Sequence, residues 1–451
     1  MTFSPSLSLS LIPQAIFTVS ALTLPLHGHA QLAAASNTEV GMFATGPTYT
    51  LPTLLDLAKQ HNLGLQAAQA QQRAVVAGET TARAIPNPEL DWNQRRYRSS
   101  QSTGSGYGQG IALVQPLENP AFRAARIDTA IARTEFGKQQ YRQIELNLVT
   151  EVKTVFYDML RRQEEVRAAR EDTQLVAQIR ERIRVRTETG EGARFDLVRA
   201  DAELAVARNQ LTSAELRLQQ ARSRMLQLLG KTALPPGQSA SAQAVSQPSS
   251  LYAFGVNGEW DKPLTPAQLA AMEAELLSRN PDLSAAQAAV TVAQRRLETE
   301  RNSVLPQVGV RLGQEREPEV RQTQVGVVLA VPLFDRRRGP IAEASADAER
   351  ARLAAEQREY ELTEAFRAAR QTYVTSFQQL QALEQGVVNN AKRAVEIAEA
   401  AYRYGERGIL EYLDAQRTFR AVRNELIAAR NNVQQAKIEL ERLVGLEVNR
   451  P

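Results

Sequence analysis

Ten apolar positions, Tyr412, Ala415, Phe419, Val422, Leu426, Ala429, Val433, Ala436, Leu440 and Leu443, follow one another at alternating steps of three and four. That spacing is a heptad seam, the pattern of a helix packed along a partner helix. A second set stands 215 residues earlier at Leu197, Ala200, Leu204, Ala207, Leu211, Ala214, Leu218, Ala221, Met225 and Leu228, and every position is apolar again. Two seams in register over ten positions mean that the chain is a duplication. Whatever it folds into must present each seam helix with a helical partner.

The punctuation repeats as well. Copy one reads as a helix over Thr53–Arg83, opened by the cap candidates Thr50 and Thr53 and ended by Pro86-Asn87-Pro88. Two strands are expected at 89–98 and 107–115, joined by a Ser/Gly loop. Pro116 and Pro120 mark the entry to a helix running to about Thr189, a turn at 190–192 follows, and the seam helix returns to Gly230. Copy two repeats the order: a helix over Pro266–Ser303, strands at 307–314 and 323–331, a long helix from Pro340, a turn at 405–408 and the second seam helix. Pro306 and Pro340 each lie 220 residues beyond Pro86 and Pro120. The expected organisation is a leader at 1–30, a first repeat at 31–230, a linker at 231–263 with little fixed structure, and a second repeat at 264–446.

Length decides the helical part. At 1.5 Å per residue the helix from Pro340 to Tyr404 would be about 95 Å long, several times the width of a compact domain. Such helices belong to an extended coiled coil. The strands decide the rest. Val308, Val310 and Leu312 alternate with Gln307, Gly309, Arg311 and Gly313, and Val325, Val327, Leu329 and Val331 share one face of the last strand. Strands of about ten residues with this alternation fit a membrane barrel. Four strands cannot close one, and open edges are not tolerated in lipid, so a membrane role requires several chains to share one barrel. The fold class expected is mainly α with a small β part.

Composition narrows the function. Cysteine is absent, which excludes disulfides and thiol chemistry, and two of the three histidines, His27 and His29, lie in the leader. The net charge is +4, and basic and acidic residues alternate along the helices, so no nucleic-acid footprint is segregated. An apolar run from about Leu7 to Leu24 precedes Gly28-His29-Ala30, a small-x-small cleavage pattern, although no Lys or Arg comes before it. No later run approaches the roughly 20 apolar residues of a spanning helix. Gly104, Gly106, Gly108 and Gly110 are followed by no helix, and Gly230-Lys231-Thr232 runs into Pro235-Pro236, so neither is a phosphate loop. Without a nucleophile, base and acid set, no enzyme is expected, and no cofactor or metal site is expected either.

The stretch Tyr402-Arg403-Tyr404-Gly405-Glu406-Arg407-Gly408, continuing to Glu411-Tyr412-Leu413-Asp414-Ala415-Gln416, together with Thr189-Gly190-Glu191-Gly192-Ala193-Arg194-Phe195-Asp196-Leu197, resembles the two hairpin turns of the TolC-like outer-membrane efflux proteins. The resemblance extends over about residues 50–445. It implies a homotrimer in the outer membrane, with four strands per chain in a twelve-stranded barrel and the helices in a long periplasmic tunnel closed by hairpins. It implies an outer-membrane lipid environment, a periplasmic adaptor protein and an inner-membrane pump of the proton-driven RND type as partners. By position, Asp196, Tyr402 and Arg407 match residues that link neighbouring hairpins at the closed mouth, and Glu411 and Asp414 match its acidic rings. Gly190, Gly192, Gly405, Gly408 and Leu410 match the turns where an adaptor docks. Asn87-Pro88-Glu89-Leu90, with Trp92 and Arg95-Arg96, looks most like members that serve heavy-metal cation pumps. A multidrug or protein-secretion channel is the alternative within the family, and a soluble periplasmic coiled-coil scaffold is the alternative outside it. Arg336–Arg338, between Pro332 and Pro340, is expected at the base of the barrel.

Overall fold

The computed structural model describes residues 47–98, 105–190, 192–230, 254–317 and 320–446. The leader expected at 1–30 and the first part of the linker lie outside them. Each copy is built from two short helices where one was expected, then the expected β-hairpin and long helical hairpin. Copy one comprises α1 (Leu51–His61), α2 (Leu63–Arg83), β2 (Glu89–Arg98), β3 (Ser105–Leu117), α3 (Pro120–Glu188) and α4 (Arg194–Leu229), preceded by the two-residue β1 (Thr48–Tyr49). Copy two comprises α5 (Pro266–Arg279), α6 (Pro281–Asn302), β5 (Gln307–Arg316), β6 (Arg321–Ala330), α7 (Arg338–Ala382), α8 (Val388–Arg403) and α9 (Ile409–Val444), preceded by β4 (Gly255–Val256). The 69 residues of α3 make a rod about 100 Å long. A five-residue π-helical stretch, Leu383–Val387, joins α7 to α8. It lies inside the helix across which the offset between the copies changes from 220 to 215.

None of the twenty seam positions is exposed. The α4 seam packs on α3, and the α9 seam packs on α7 and α8, with Phe366, Tyr373 and Leu440 almost fully buried at the second contact. Full burial of one large apolar side chain is worth about 1.5–3 kcal/mol, so the six or seven per seam, with alanines between them, outweigh the intrinsic propensities of helices rich in Arg and Gln.

Two of the expected helices are each divided. The helix expected over Thr53–Arg83 breaks at Asn62, and the one over Pro266–Ser303 breaks at Asn280. Both breaks use one device. The Asn62 carboxamide accepts from the Leu65 amide at 2.9 Å and donates to the Leu228 carbonyl at 2.8 Å. The Asn280 carboxamide accepts from Leu283 at 2.9 Å and donates to Leu443 at 2.7 Å. One side chain thus caps the start of the second short helix and the end of the seam helix beside it. Gly230 and Gly445 end the seam helices with φ of 81° and 74°. A Cβ on Gly230 would lie 2.4 Å from the His61 carbonyl, and one on Gly445 2.9 Å from the Arg279 carbonyl, so the close approach requires glycine twice over.

The linker expected at 231–263 is too long by ten residues. Gly255–Val256 pairs in parallel with Thr48–Tyr49, and Gln163 on α3 bonds both backbone groups of Val256. Trp260 stacks on Tyr157 with ring centres 5.9 Å apart, and Asp261 accepts from Gln434 and Lys437 on α9. Residues 254–263 therefore tie α3 to α9 instead of hanging free. The Pro, Ser and Ala content of the preceding stretch masked the apolar Phe254, Val256 and Trp260.

The sheet has the order β2-β3-β5-β6, all antiparallel, and is open at β2 and β6. The strands run slightly longer than expected, with β3 extending to Leu117 and β6 beginning at Arg321. Its register sorts the side chains by chemistry. One face carries Leu90, Trp92, Ile111, Leu113, Leu312, Val325 and Val327, all exposed. The other carries Asp91, Arg95, Arg311 and Glu315, where Arg311 meets Asp91 at 2.8 Å and Arg95 meets Glu315 at 3.1 Å. Each of those pairs joins β2 to β5 across β3. They can do so because β3 places Gly108, Gly110 and Ala112 between them on that face. A Cβ on Gly110 would sit 2.7 Å from the Asn93 side-chain oxygen.

Asn280 is wholly buried, so Asn280→Ala removes a helix cap and leaves the Leu443 carbonyl without its donor. The expected loss is about 2–3 kcal/mol of stability. Thermal unfolding followed by circular dichroism checks it, with the exposed Gln287→Ala as a control expected to change the midpoint little.

Candidate functional site at the hairpin tips

Both hairpins end in a turn of the same construction. Gly190 and Gly405, equivalent in the two copies, have φ of 84° and 77°. The Gly405 amide reaches the Tyr402 carbonyl at 3.2 Å and the Glu406 amide reaches Ala401 at 2.9 Å, which closes the end of α8. Gly408, by contrast, is the N-cap of α9 with φ of −74°. Its value there is the absence of a side chain, since a Cβ would sit 3.3 Å from a carboxylate oxygen of Glu411. Gly192 is likewise tight, with Thr187 Oγ1 3.1 Å from where a Cβ would be.

Neither Ala193 nor Gly408 can offer a side-chain cap, and each returning helix instead has an acid in its first turn, Asp196 in α4 and Glu411 in α9. These two positions are equivalent, and their charge complements the helix N-terminus. The residue before each is apolar and exposed: Phe195 in copy one and Leu410 in copy two. Phe195 was not anticipated from sequence, although the 215-residue offset from Leu410 identifies it. Glu411 and Asp414 lie exposed on one face of α9.

Asp196, Tyr402 and Arg407 come together around one cleft of about 220 Å³ between the two turns, also lined by Arg186, Gly192 and Gly408. They do not pair with one another within the chain. Arg407 approaches Glu411 at 4.0 Å, and Asp196 makes no ion pair among the described residues. Tyr402 stacks on Tyr412 with ring centres 6.2 Å apart, and the Arg186 guanidinium lies 5.8 Å from the Tyr402 ring centre. Beneath, Ile179, Ile183, Val395, Ile409 and Leu413 form a closed apolar cluster that fixes the distance between the hairpins at the tip.

Above the tip, α9 buries a second stripe against the first hairpin, and that stripe is polar. Glu203 on α4 accepts from Arg417 at 2.5 Å and from Arg420 at 2.9 Å. Asp172 on α3 accepts from Arg423 at 2.5 Å. Further along, Lys153 on α3 meets Glu441 at 2.8 Å. Glu203 and Arg420 are each at least nine-tenths buried. The hydrogen bond from Arg417 is the largest influence on Glu203, and with Arg420 it holds that carboxyl below its usual range. Asp172 goes the other way, because burial outweighs the attraction of Arg423 and Arg420. In the sequence these charges belong to the alternation of basic and acidic residues along the helices, which does not itself show which of them are covered. Their heptad spacing beside Gln416 and Ile427 was the available signal.

Among the described residues no group of three or more His, Asp or Glu is arranged to hold a metal ion, and no helix is long and apolar enough to cross a membrane.

The chain matches the family model described as outer membrane efflux protein over residues 54–231 and 274–446. It is 28% identical to the cobalt-zinc-cadmium resistance protein CzcC of Cupriavidus metallidurans, over 89% of this chain and 91% of that one. It is 24% identical to the outer membrane protein TolC of Vibrio cholerae, over 88% and 90% of the two chains. Its fold is similar to that of the outer-membrane channel OprN, with a TM-score of 0.72 at 19% identity, covering 88% of this chain and 89% of that one. It is also similar to CusC, with a TM-score of 0.70 at 17% identity, covering 90% and 95% of the two chains. The duplicated hairpins, the four-stranded sheet and the paired tips therefore have one source: the chain belongs to the outer membrane efflux protein family.

Proposed function

We propose that the chain is one third of a homotrimeric duct. Its sheet would supply four of twelve barrel strands in the outer membrane, and its hairpins would extend through the periplasm. The observation that carries this reading is the sheet itself, which has an exposed apolar face, an ion-paired opposite face and two open edges. Closing it with copies of itself satisfies the edges and turns the charged face inward. The duct is passive, and a periplasmic adaptor and an inner-membrane RND pump would supply the substrate and the energy. The adaptor would dock at the turns through Gly190, Gly192, Gly405, Gly408 and Leu410, to which Phe195 is added.

The cargo proposed is a heavy-metal cation. The names of the similar proteins CzcC and NccC, a nickel-cobalt-cadmium resistance protein, point this way. The exposed Glu411 and Asp414 would form two stacked rings of three carboxylates at the narrow mouth, favouring cations at close quarters. Among the described residues Asp196 makes no ion pair, and Arg407 has only a long contact to Glu411. Both are thus available to link to a neighbouring protomer and hold the mouth shut, with Tyr402 beside them. Opening would separate the second hairpin from the first, a two-state change that adaptor binding biases.

Three outcomes follow. In planar bilayers, Asp196→Ala with Arg407→Ala should raise single-channel conductance several-fold; unchanged conductance removes the gate assignment. A strain lacking the chain should lose growth on cobalt, zinc or cadmium and regain it on complementation. Sensitivity to drugs alone would favour the multidrug reading. Glu203→Gln should destabilise the hairpin contact by about 3–5 kcal/mol, because it leaves Arg420 buried beside a neutral partner. Asp172→Asn should cost less, since burial already opposes that charge. The Glu203 contribution is present at neutral pH and disappears as pH falls through its depressed pKa, below the ordinary carboxylate range. Thermal midpoints of the three proteins across acid pH check the order and the sign.

A further inference from the structure

We infer that the end of the sheet far from the helices carries a guanidinium belt that binds the phosphate groups of an outer-leaflet glycolipid. This rests on reading the sheet as a barrel wall. The register arranges its outward face in rows. Next to the helices is Leu117, Val308 and Leu329; further out come Leu90, Leu113, Leu312 and Val325; then Trp92, Ile111, Gln314 and Thr323. The next row is Gln94, Gln109, Arg316 and Arg321, and beyond it Arg96 stands opposite Tyr107. From the first of these rows to the Trp92 row is about 20 Å along the strand at 3.3–3.4 Å per residue, or roughly 15 Å of height at the tilt of a barrel strand, the inner part of an outer-membrane barrel's apolar band. The arginines begin where the apolar rows end.

Their partners, or lack of them, distinguish these arginines from others in the same strands. Arg95 and Arg311, on the opposite face, are paired with Glu315 and Asp91. Arg316 and Arg321 are exposed and make no ion pair among the described residues. Arg96 is exposed too, and its recorded contact is with the Tyr107 ring, 6.0 Å from the ring centre. The acids of the described strands, Glu89, Asp91 and Glu315, all fall on the other face by register. Among the described strand residues the outward face is therefore cationic at its rim, with no carboxylate on that face, directly above an apolar surface.

Neighbouring strands are about 4.8 Å apart, so Arg316 and Arg321 are adjacent, and Arg96, one row further out, lies two strands from Arg316 and three from Arg321, within reach of one bulky headgroup. Guanidinium groups recognise phosphate by paired hydrogen bonds that water does not replace well. The occupant that fits is an amphiphile with several acyl chains and more than one phosphate on its headgroup, seated in the leaflet that this end of the sheet meets. Barrel closure would set the Arg321 edge of one protomer beside the Arg96 edge of the next, repeating the site three times.

The test uses the full chain purified in detergent and incubated with diphosphoryl lipid A, with the same lipid after enzymatic dephosphorylation, or with phosphatidylethanolamine. Native mass spectrometry reads the lipid retained. The wild-type protein should hold diphosphoryl lipid A at least tenfold more tightly than the dephosphorylated form. Arg96→Gln with Arg316→Gln and Arg321→Gln should abolish that preference, whereas the three corresponding Lys substitutions should keep part of it. Should the triple Gln variant not assemble, each single Gln substitution should lower retention about threefold. Arg336→Gln with Arg338→Gln, at the helix end of the sheet, should leave the preference intact. Equal retention of the phosphorylated and dephosphorylated lipids, or an unchanged preference in the Gln variants, overturns the inference while leaving the barrel in place. A wild-type chain that stays soluble without detergent and holds no lipid overturns the barrel reading and this inference with it.

Discussion

The unpaired backbone at β2 and β6 is the constraint on which the other features depend. Each edge strand offers a row of amide and carbonyl groups without a strand partner among the described residues. In water such edges invite aggregation, and in hydrocarbon each unmet group costs several kcal/mol. The face that would protect a soluble sheet, a layer of helices, is missing here, since Trp92, Val325 and Val327 stand well exposed. In the proposed barrel further strands would satisfy the edges, and the sorting of apolar from ion-paired residues would decide which face turns outward. The small residues of β3 belong to the same solution, because they let Arg311 and Arg95 reach across it to their carboxylates.

The helical part answers a different problem, how to hold rods about 100 Å long in pairs. Within each hairpin the contact is an apolar heptad seam, strongly favoured by burial. Between hairpins the contact is a ladder of buried ion pairs from Glu203 to Lys153, which is sensitive to geometry and costly to leave half made. This division makes each hairpin a stiff unit and concentrates specificity at the surface where the two hairpins meet. At the tip the ladder gives way to an apolar cluster and to Asp196, which makes no ion pair among the described residues.

Much of this was legible in the sequence. The heptad offset, the paired prolines and the alternation of the strands identified the duplication, the rods and the sheet before any coordinates. The acids at positions 196 and 411 and the positive-φ glycines 190 and 405 were legible through the same offset. What was missed shares a physical cause, dependence on a partner distant in sequence. Asn62 and Asn280 look like ordinary polar residues inside a helix until the carbonyls of Leu228 and Leu443 are set beside them. The second stripe of α9 reads as solvated charge until α3 and α4 cover it. Trp260 reads as part of a linker until Tyr157 lies beneath it. The π-helical turn at Leu383–Val387 left no local mark other than the change in offset between the copies.

The central claim is that one chain holds a third of a closed wall, and counting chains tests it most directly. The mass of the detergent-solubilised particle, from sedimentation equilibrium with the bound detergent matched out, should equal three chains and stay at three on dilution. A single chain that remains monomeric and soluble after the detergent is removed would contradict the account.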